Sequence, residues 1–435
     1  MTASYPEIDS GVLLAMIDDI SQFGATGDGG LDRQAGSTEH GQARAWLCAR
    51  LQELGYAPRV DGIGNVFGLL EWAGPDAPTV LVGSHLDSQP RGGRFDGTYG
   101  VIAAICAVEA VRRDARDKSI SPTVNLCIVD WFNEEGARFQ PSLLGSSVYA
   151  GELDLDYALS RCDGDGLSVQ AELMRTGYLG ADVPPKAAAY IEFHIEGNTE
   201  LEDSARHIGP FARYWGAYKY RVVMIGEKAH TGPTAMHLRK DAGLGAAYVM
   251  AGLRAMSDAR NGALYTSVGR LVVEPNSPNM VPDRATMFIE LRSPDPETLD
   301  AAEGELTQLF SDASRRAQVE HEVISVDKRH AGAFDARLVK LTEAESAALG
   351  LETLRLDTIG GHDAVPLSRV CPSIVVAVPS VGGILHHPAE FTEPHDLVNG
   401  ANVLARMLCG LNDSGGDLDA ALSASALSQQ SQEVG

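Results

Sequence analysis

Four short stretches gather residues of the kinds that bind metal ions or move protons. Residues 83–97, GSHLDSQPRGGRFDG, place His85 directly after an apolar run, Asp87 two positions later and Asp96 in a glycine-rich loop. Residues 131–139, WFNEEGARF, carry the adjacent acids Glu134 and Glu135; residues 192–197, EFHIEG, add His194; residues 382–390, GGILHHPAE, add His386 and His387. Neutral imidazole nitrogens and anionic oxygens together make a donor set for divalent cations. A carboxylate can bridge two such ions, which then lie about 3.5–4 Å apart, and a water held between them loses its proton near neutral pH. A further carboxylate, free of metal, must take and return that proton. Two neighbouring glutamates could divide these jobs, and Asp87 could hold His85 in the correct tautomer.

Taken singly, each of these residues has an ordinary structural reading. A histidine at a strand end can be a satisfied structural or surface group, Asp96 could cap a helix, and Glu134–Glu135 could favour a helix N-terminus through the dipole. Together they fall at the ends of separate predicted strands, where open α/β sheets build their sites. That coincidence points to a metal site.

The elements that must position these groups are legible from periodicity. TVLVGS (79–84), VNLCIVDW (124–131) and residues 187–193 are short apolar runs of buried-strand type. Between the first two lies an apolar helix over 100–112, and the order strand, helix, strand reads as α/β. The chain opens with paired helices joined by a glycine-rich connector, 24–36. From about residue 212 the pattern changes to strand 218–225, helix 239–257, strands 265–273 and 285–292, helix 296–317 and strand 319–327. This is the β-α-β-β-α-β order of a ferredoxin-like module. Helix 335–349, strand 373–378 and helix 394–412 then resume the first pattern. The expectation is an α/β fold with a mixed-sheet catalytic domain over 1–211 and 329–413 and an inserted ferredoxin-like domain over 212–328. The Ser-, Gly-, Ala-, Asp- and Gln-rich stretch 414–435 is expected to be a disordered or loosely docked tail.

Bulk properties narrow the function. A chain of 435 residues fits two domains of ordinary size. A formal net charge of -24 argues against nucleic-acid binding, which needs a basic face. The six cysteines form no C-x-x-C pair, so a reducing compartment, no disulfide framework and no thiolate metal site are expected. The N-terminus has no basic region ahead of its short apolar stretch, and no apolar run is long enough to span a bilayer. The cytoplasm is the expected location, with neither membrane nor nucleic acid as partner.

The chain resembles the amidase, hydantoinase and carbamoylase branch of the dinuclear zinc aminoacylase–carboxypeptidase superfamily. That branch includes N-carbamoyl-L-amino-acid hydrolases, β-ureidopropionases and allantoate amidohydrolases. The motifs GSHLDSQPRGGRFDG, FNEEGARF, FHIEG, AHTGPTAMHLRKDA (229–242), PNMVP (278–282), GGHDA (360–364) and PSVGGILHHPAE occur in the family's order, from about Gly29–Arg33 to Cys409. The resemblance implies two divalent ions per subunit, zinc ahead of manganese, cobalt or nickel. It implies Asp96 as the bridging ligand, His85 and His194 completing one site, Glu135 and His386 the other, and Glu134 as general acid/base. It further implies that the inserted domain serves as a lid and dimerisation domain. His230 would stabilise the developing oxyanion in the partner subunit of a homodimer, and Asn279 and Arg292 would contact the carboxylate of a small substrate, Arg292 by a bidentate fork. His362 and Asp363 fall near the site without an assigned role.

The implied activity is cleavage of a C–N bond in an N-carbamoyl amino acid or related ureido carboxylate. Gly197 stands where the family usually has Gln, His387 where a smaller residue is common, and Ala235 where Pro is frequent. These departures leave the metal set intact but loosen the match to one substrate. Two alternatives are an N-acyl amino-acid hydrolase or metallopeptidase of the wider superfamily, and a catalytically silent relative that binds a small ligand. Substrate assays separate the first, and the intact Glu134 speaks against the second.

Overall fold

The computed structural model describes residues 6–433. The chain divides into two compact units: one runs to Ala212 and takes in Phe334–Leu356 and the chain from Gly361, the other comprises Arg213–Ala333 and Asp357–Gly360.

In the first unit the central strands are Thr79–His85, Asn125–Trp131, Ala187–Ile195 and Ser373–Val378, all four almost wholly buried. Thr79–His85 pairs in parallel with Asn125–Trp131 on one side and Ala187–Ile195 on the other, and Ser373–Val378 continues the parallel run. Strands covered on both faces need continuous apolar sequence rather than alternation, which is why they are visible in the sequence. The antiparallel edge is a hairpin, Ala57–Val60 with Val66–Leu70. Its outer strand, Ala57–Val60, is short and partly exposed, whereas Val66–Leu70 (VFGLL) is apolar and largely buried.

Helix Thr98–Lys118 follows its cap, Gly97, and is apolar nearly all round over residues 98–111, which lie in the core, while its charged end, RRDARDK, is largely exposed. At Gly100 an added Cβ would come within 2.3 Å of the Phe193 carbonyl oxygen and 2.8 Å of the Ser84 Cβ. The missing side chain lets the helix approach the backbone of the sheet. Buried polar groups secure the segment that follows His85. Arg33 is fully enclosed and donates to the carbonyls of Leu86 and Ile20, at 2.7 and 2.8 Å, and to the Thr98 hydroxyl at 2.8 Å. Arg44 forms a buried ion pair with Asp130 at 2.8 Å, and Asp130 also accepts the Leu86 amide. Such a pair is secure only when its remaining groups are hydrogen-bonded.

The second unit is built from Gly216–Ile225, helix Ala242–Asp258, Tyr265–Glu274, Arg284–Ser293, helix Pro296–Ala317 and Glu320–Arg329. Its antiparallel sheet has the order Glu320–Arg329, Gly216–Ile225, Arg284–Ser293, Tyr265–Glu274. The period of two sends Tyr218, Tyr220, Val222 and Met224, with Met287, Ile289 and Leu291, to one face. There they meet Val249, Leu253, Leu306 and Phe310 of the two helices in a core of their own.

One expectation fails. The stretch after 413 is not structureless: Leu418–Glu433 is a helix, and Leu418 and Ala421 are buried in the core of the first unit. Its composition is polar, but a few apolar residues on one face suffice when a helical surface is there to receive them. Among the described residues no helix is long and apolar enough to cross a membrane.

Candidate metal centre

His85 is the last residue of strand Thr79–His85, and His194 is the next-to-last of Ala187–Ile195. Both rings are buried and fixed from behind. Nδ1 of His85 donates to the main-chain carbonyl of Asp87 at 2.9 Å, and Nδ1 of His194 to that of Ile195 at 2.8 Å. A carbonyl only accepts, so each ring carries a proton on Nδ1, and Nε2 is the atom that would be left to bind a cation at a common centre. Asp87 contacts His85 through its main-chain oxygen rather than its carboxylate. The carboxylate Oδ1 is 3.7 Å from the ring and accepts the Glu134 amide at 3.2 Å. Asp87 thus acts on two neighbours, His85 and Glu134.

Asp96 lies between two groups of side chains. Its Oδ1 is 2.9 Å from His194 Nε2 and 3.7 Å from His85 Nε2, and its Oδ2 is 3.2 Å from His386 Nε2. His386 Nε2 is also 3.3 Å from Glu135 Oε2. Two triads result, His85–Asp96–His194 and Asp96–Glu135–His386, each with ligand atoms within 4.8 Å of one another and with Asp96 common to both. Glu134 belongs to neither, and its Oε2 is 3.6 Å from His85 Nε2. Glu134 and Glu135 do not begin a helix; they sit in the turn after Asn125–Trp131. His386 has a left-handed backbone, φ 56°, which turns its ring toward Asp96.

The electrostatics are those of a crowded anionic site. Burial, and then the negative charges of Asp363, Glu135, Asp87 and Asp96, push the Glu134 carboxyl well above its usual range. Burial alone would raise Asp96 too, but hydrogen bonds from His194 and His386 hold it well below. Burial disfavours charge on His194, yet Asp96 lifts it to about 9; His386, against Asp96 and Glu135, rises to about 11. The buried Asp87 Oδ2 accepts no hydrogen bond. Several carboxylates crowded around imidazoles in a low-dielectric pocket are what positive ions would neutralise. The donor set, nitrogen and oxygen without sulfur, fits a pair of divalent cations.

Two polar groups that sequence reasoning missed complete the surroundings. Gln89 binds Glu135 through its amide side chain at 2.8 Å and its main-chain N–H at 3.2 Å. Glu192, fully buried, accepts from Ser84 at 2.7 Å and from the Ala364 amide at 3.0 Å. Glu192 lies two residues from His194 on the same strand face, and that spacing was the available signal. His362 packs edge-on to His194 at 4.7 Å between ring centres, and Asp363 accepts from Ser146.

The profile of peptidase family M20/M25/M40 matches residues 81–409. A Mycolicibacterium smegmatis protein described no further than as a hydrolase is 43% identical over 411 residues, 93% of each chain. N-carbamoyl-L-amino-acid amidohydrolase of Rhizobium meliloti is 33% identical over 388 residues, 89% of this chain and 92% of its own. The crystal structure of an amidase of the hydantoinase/carbamoylase family from Burkholderia vietnamiensis superposes with a TM-score of 0.90 at 33% identity, covering 95% of this chain and 99% of that one. The chain belongs to the M20/M25/M40 family, in its hydantoinase/carbamoylase amidase branch. As a member of that branch it is an amidohydrolase acting on C–N bonds, and both triads lie inside the matched region.

His230, Asn279 and Arg292 belong to the second unit. The His230 ring is exposed, with Nδ1 accepting the Gly232 amide at 3.0 Å. The main-chain oxygen of Asn279 accepts from the Thr231 amide at 3.3 Å, tying the two motifs together. Arg292 pairs with Glu290 at 2.9 Å and donates to the Ile359 carbonyl.

Proposed function

We propose that this amidohydrolase holds two divalent cations and hydrolyses an N-carbamoyl amino acid or a related ureido carboxylate. The observation that carries the reading is the position of Asp96, with one oxygen facing His85 and His194 and the other facing His386 beside Glu135. His85, His194, Asp96, Glu135 and His386 would hold the ions. Bound there, the cations would supply Lewis acidity and bring a water's pKa to about 7.

Glu134 is the proton carrier in this reading. It lies outside both triads with Oε2 3.6 Å from His85 Nε2, and burial and its acidic neighbours raise its carboxyl, so it suits a group that takes and gives a proton. It accepts the proton of the attacking water and passes it to the departing nitrogen. A carbamoyl substrate then yields the amine, ammonia and carbon dioxide. Asp87 orients Glu134 through its amide, and Gln89 orients Glu135. Arg292 and Asn279 are assigned to the substrate carboxylate and His230 to the developing oxyanion. In a homodimer, His230 would serve the partner subunit's site.

The test is Glu134→Gln. It retains the cations by elemental analysis and loses about 10²–10⁴-fold in turnover of carbamoyl amino acids; near-native turnover would refute the assignment. Mixing the inactive Glu134→Gln and His230→Ala proteins restores turnover if His230 acts across a dimer, and restores none if it acts within its own chain. A panel of carbamoyl, ureido and acyl substrates, run with each metal, separates this reading from an acyl hydrolase or peptidase.

A further inference from the structure

Glu390 lies four residues beyond His386 and is almost fully buried. One of its oxygens, Oε1, accepts two adjacent main-chain amides, Phe95 at 2.9 Å and Asp96 at 3.0 Å. Its other oxygen is enclosed and accepts no hydrogen bond. A side chain at Gly93 would destroy this arrangement. An added Cβ there would lie 1.9 Å from the Glu390 carboxyl carbon and 2.1 Å from each oxygen. The turn that bears Glu390 is itself braced, with the Glu390 amide donating to the His387 carbonyl and the Ala389 amide to His387 Nδ1, both at 3.0 Å. A single carboxylate therefore ties the loop of Asp96 to the turn of His386.

Two amides converging on one oxygen favour a charged acceptor, since charge-assisted hydrogen bonds are about twice as strong as neutral ones. Burial and the neighbouring Asp96 oppose that charge and push the Glu390 carboxyl up to about 8, so its place is fixed by the two amide contacts and the space left at Gly93 rather than by its charge. The amides it holds belong to Asp96 and its neighbour, and the orientation of Asp96 decides whether both of its oxygens can be shared.

We propose that Glu390 is a positioning residue for the shared carboxylate. By gripping the Phe95 and Asp96 amides from the turn that carries His386, it sets Asp96 between the two triads, and Gly93 is glycine to admit it. This rests on the two-cation reading above.

The experiment uses the full chain as wild type, Glu390→Ala, Glu390→Gln, Gly93→Ala and Gly93→Ala/Glu390→Ala. Cobalt(II) titration of the metal-free proteins gives stoichiometry and affinity. Deuterium uptake over residues 93–97 of the same metal-free proteins reads the amide contacts directly. Glu390→Ala and Gly93→Ala should each weaken cobalt binding by about 10–100-fold and speed uptake. Glu390→Gln, which keeps an acceptor oxygen in place, should retain most of both properties. The double variant should bind cobalt no more weakly than Glu390→Ala, because the new methyl occupies space the carboxylate has vacated. If Glu390→Ala does not fold, Glu390→Asp, with its charge but not its reach, takes its place and should behave likewise. Wild-type affinity and uptake in Glu390→Ala, or losses that simply add in the double variant, would overturn the proposal. Failure of the wild type to bind cobalt would sink the two-cation reading, while the uptake comparison would still decide the Glu390 contact.

Discussion

Gly97 links the site to the fold, and replacing it with alanine is a sharp test of how tightly His85 is held. Its backbone has φ 63°, and an added Cβ would sit 2.4 Å from Cε1 and 2.5 Å from both ring nitrogens of His85. The ring has nowhere to retreat, being buried with Nδ1 bonded to the Asp87 carbonyl. With ψ -49° Gly97 lies outside even the left-handed helical well, so an alanine costs at least the roughly 1–2 kcal/mol of that well, and forcing a methyl into a packed site costs about 1–3 kcal/mol more. Gly97→Ala should therefore lose about 2–5 kcal/mol of stability in urea unfolding of the metal-free protein. Cation affinity should fall as well, because the ring must swing off its line. Gly151→Ala is the control: φ is 73°, and no atom lies within 4 Å of the added Cβ. It should lose only the conformational part and bind cations as the wild type does. Equal urea midpoints and equal cation affinities for the two variants would refute the claim that Gly97 is glycine for the sake of His85.

Two further expectations follow from burial. His40 is enclosed, and burial, with the charges of Arg44 and Arg33, puts its pKa well below the ordinary 6.5. The folded chain keeps it neutral while the unfolded chain protonates it, so its contribution to stability is whole above pH 6.5 and declines as the pH falls below that value. The decline is about 1.4 kcal/mol per pH unit, and urea midpoints between pH 5 and 7 should show a shallower slope in His40→Gln than in wild type; identical slopes would exclude the effect. Truncation after Ser414 removes the buried Leu418 and Ala421 and should cost at least the roughly 1.5–3 kcal/mol of a buried leucine, read as a lower melting temperature, whereas an unchanged melting temperature would mean that the terminal helix adds nothing.

Most of the elements and the candidate ligands were legible in the sequence. Strands covered on both faces must be continuously apolar, so Thr79–His85, Asn125–Trp131, Ala187–Ile195 and Ser373–Val378 could be read directly, as could the β-α-β-β-α-β order of the second unit. Histidines and acids at the ends of separate strands named the candidate ligands through their coincidence, because each of them singly has an ordinary structural use. The edge hairpin 57–70 and the terminal helix could not be read in this way. The apolar face of the terminal helix is narrow and gains meaning only against the surface that covers it, and Val66–Leu70, though apolar, is only five residues long.

Tertiary structure alone decided the sharing. Which oxygen of Asp96 faces which histidine, and how Glu390 reaches back to the amides of Phe95 and Asp96, depend on distances between residues far apart in the chain, and even the choice of the Asp87 main chain over its carboxylate to orient His85 is set by how the folded loop turns. Local propensity carries no record of such distances. They follow from which strands lie side by side and from where glycine leaves room for a neighbour's side chain.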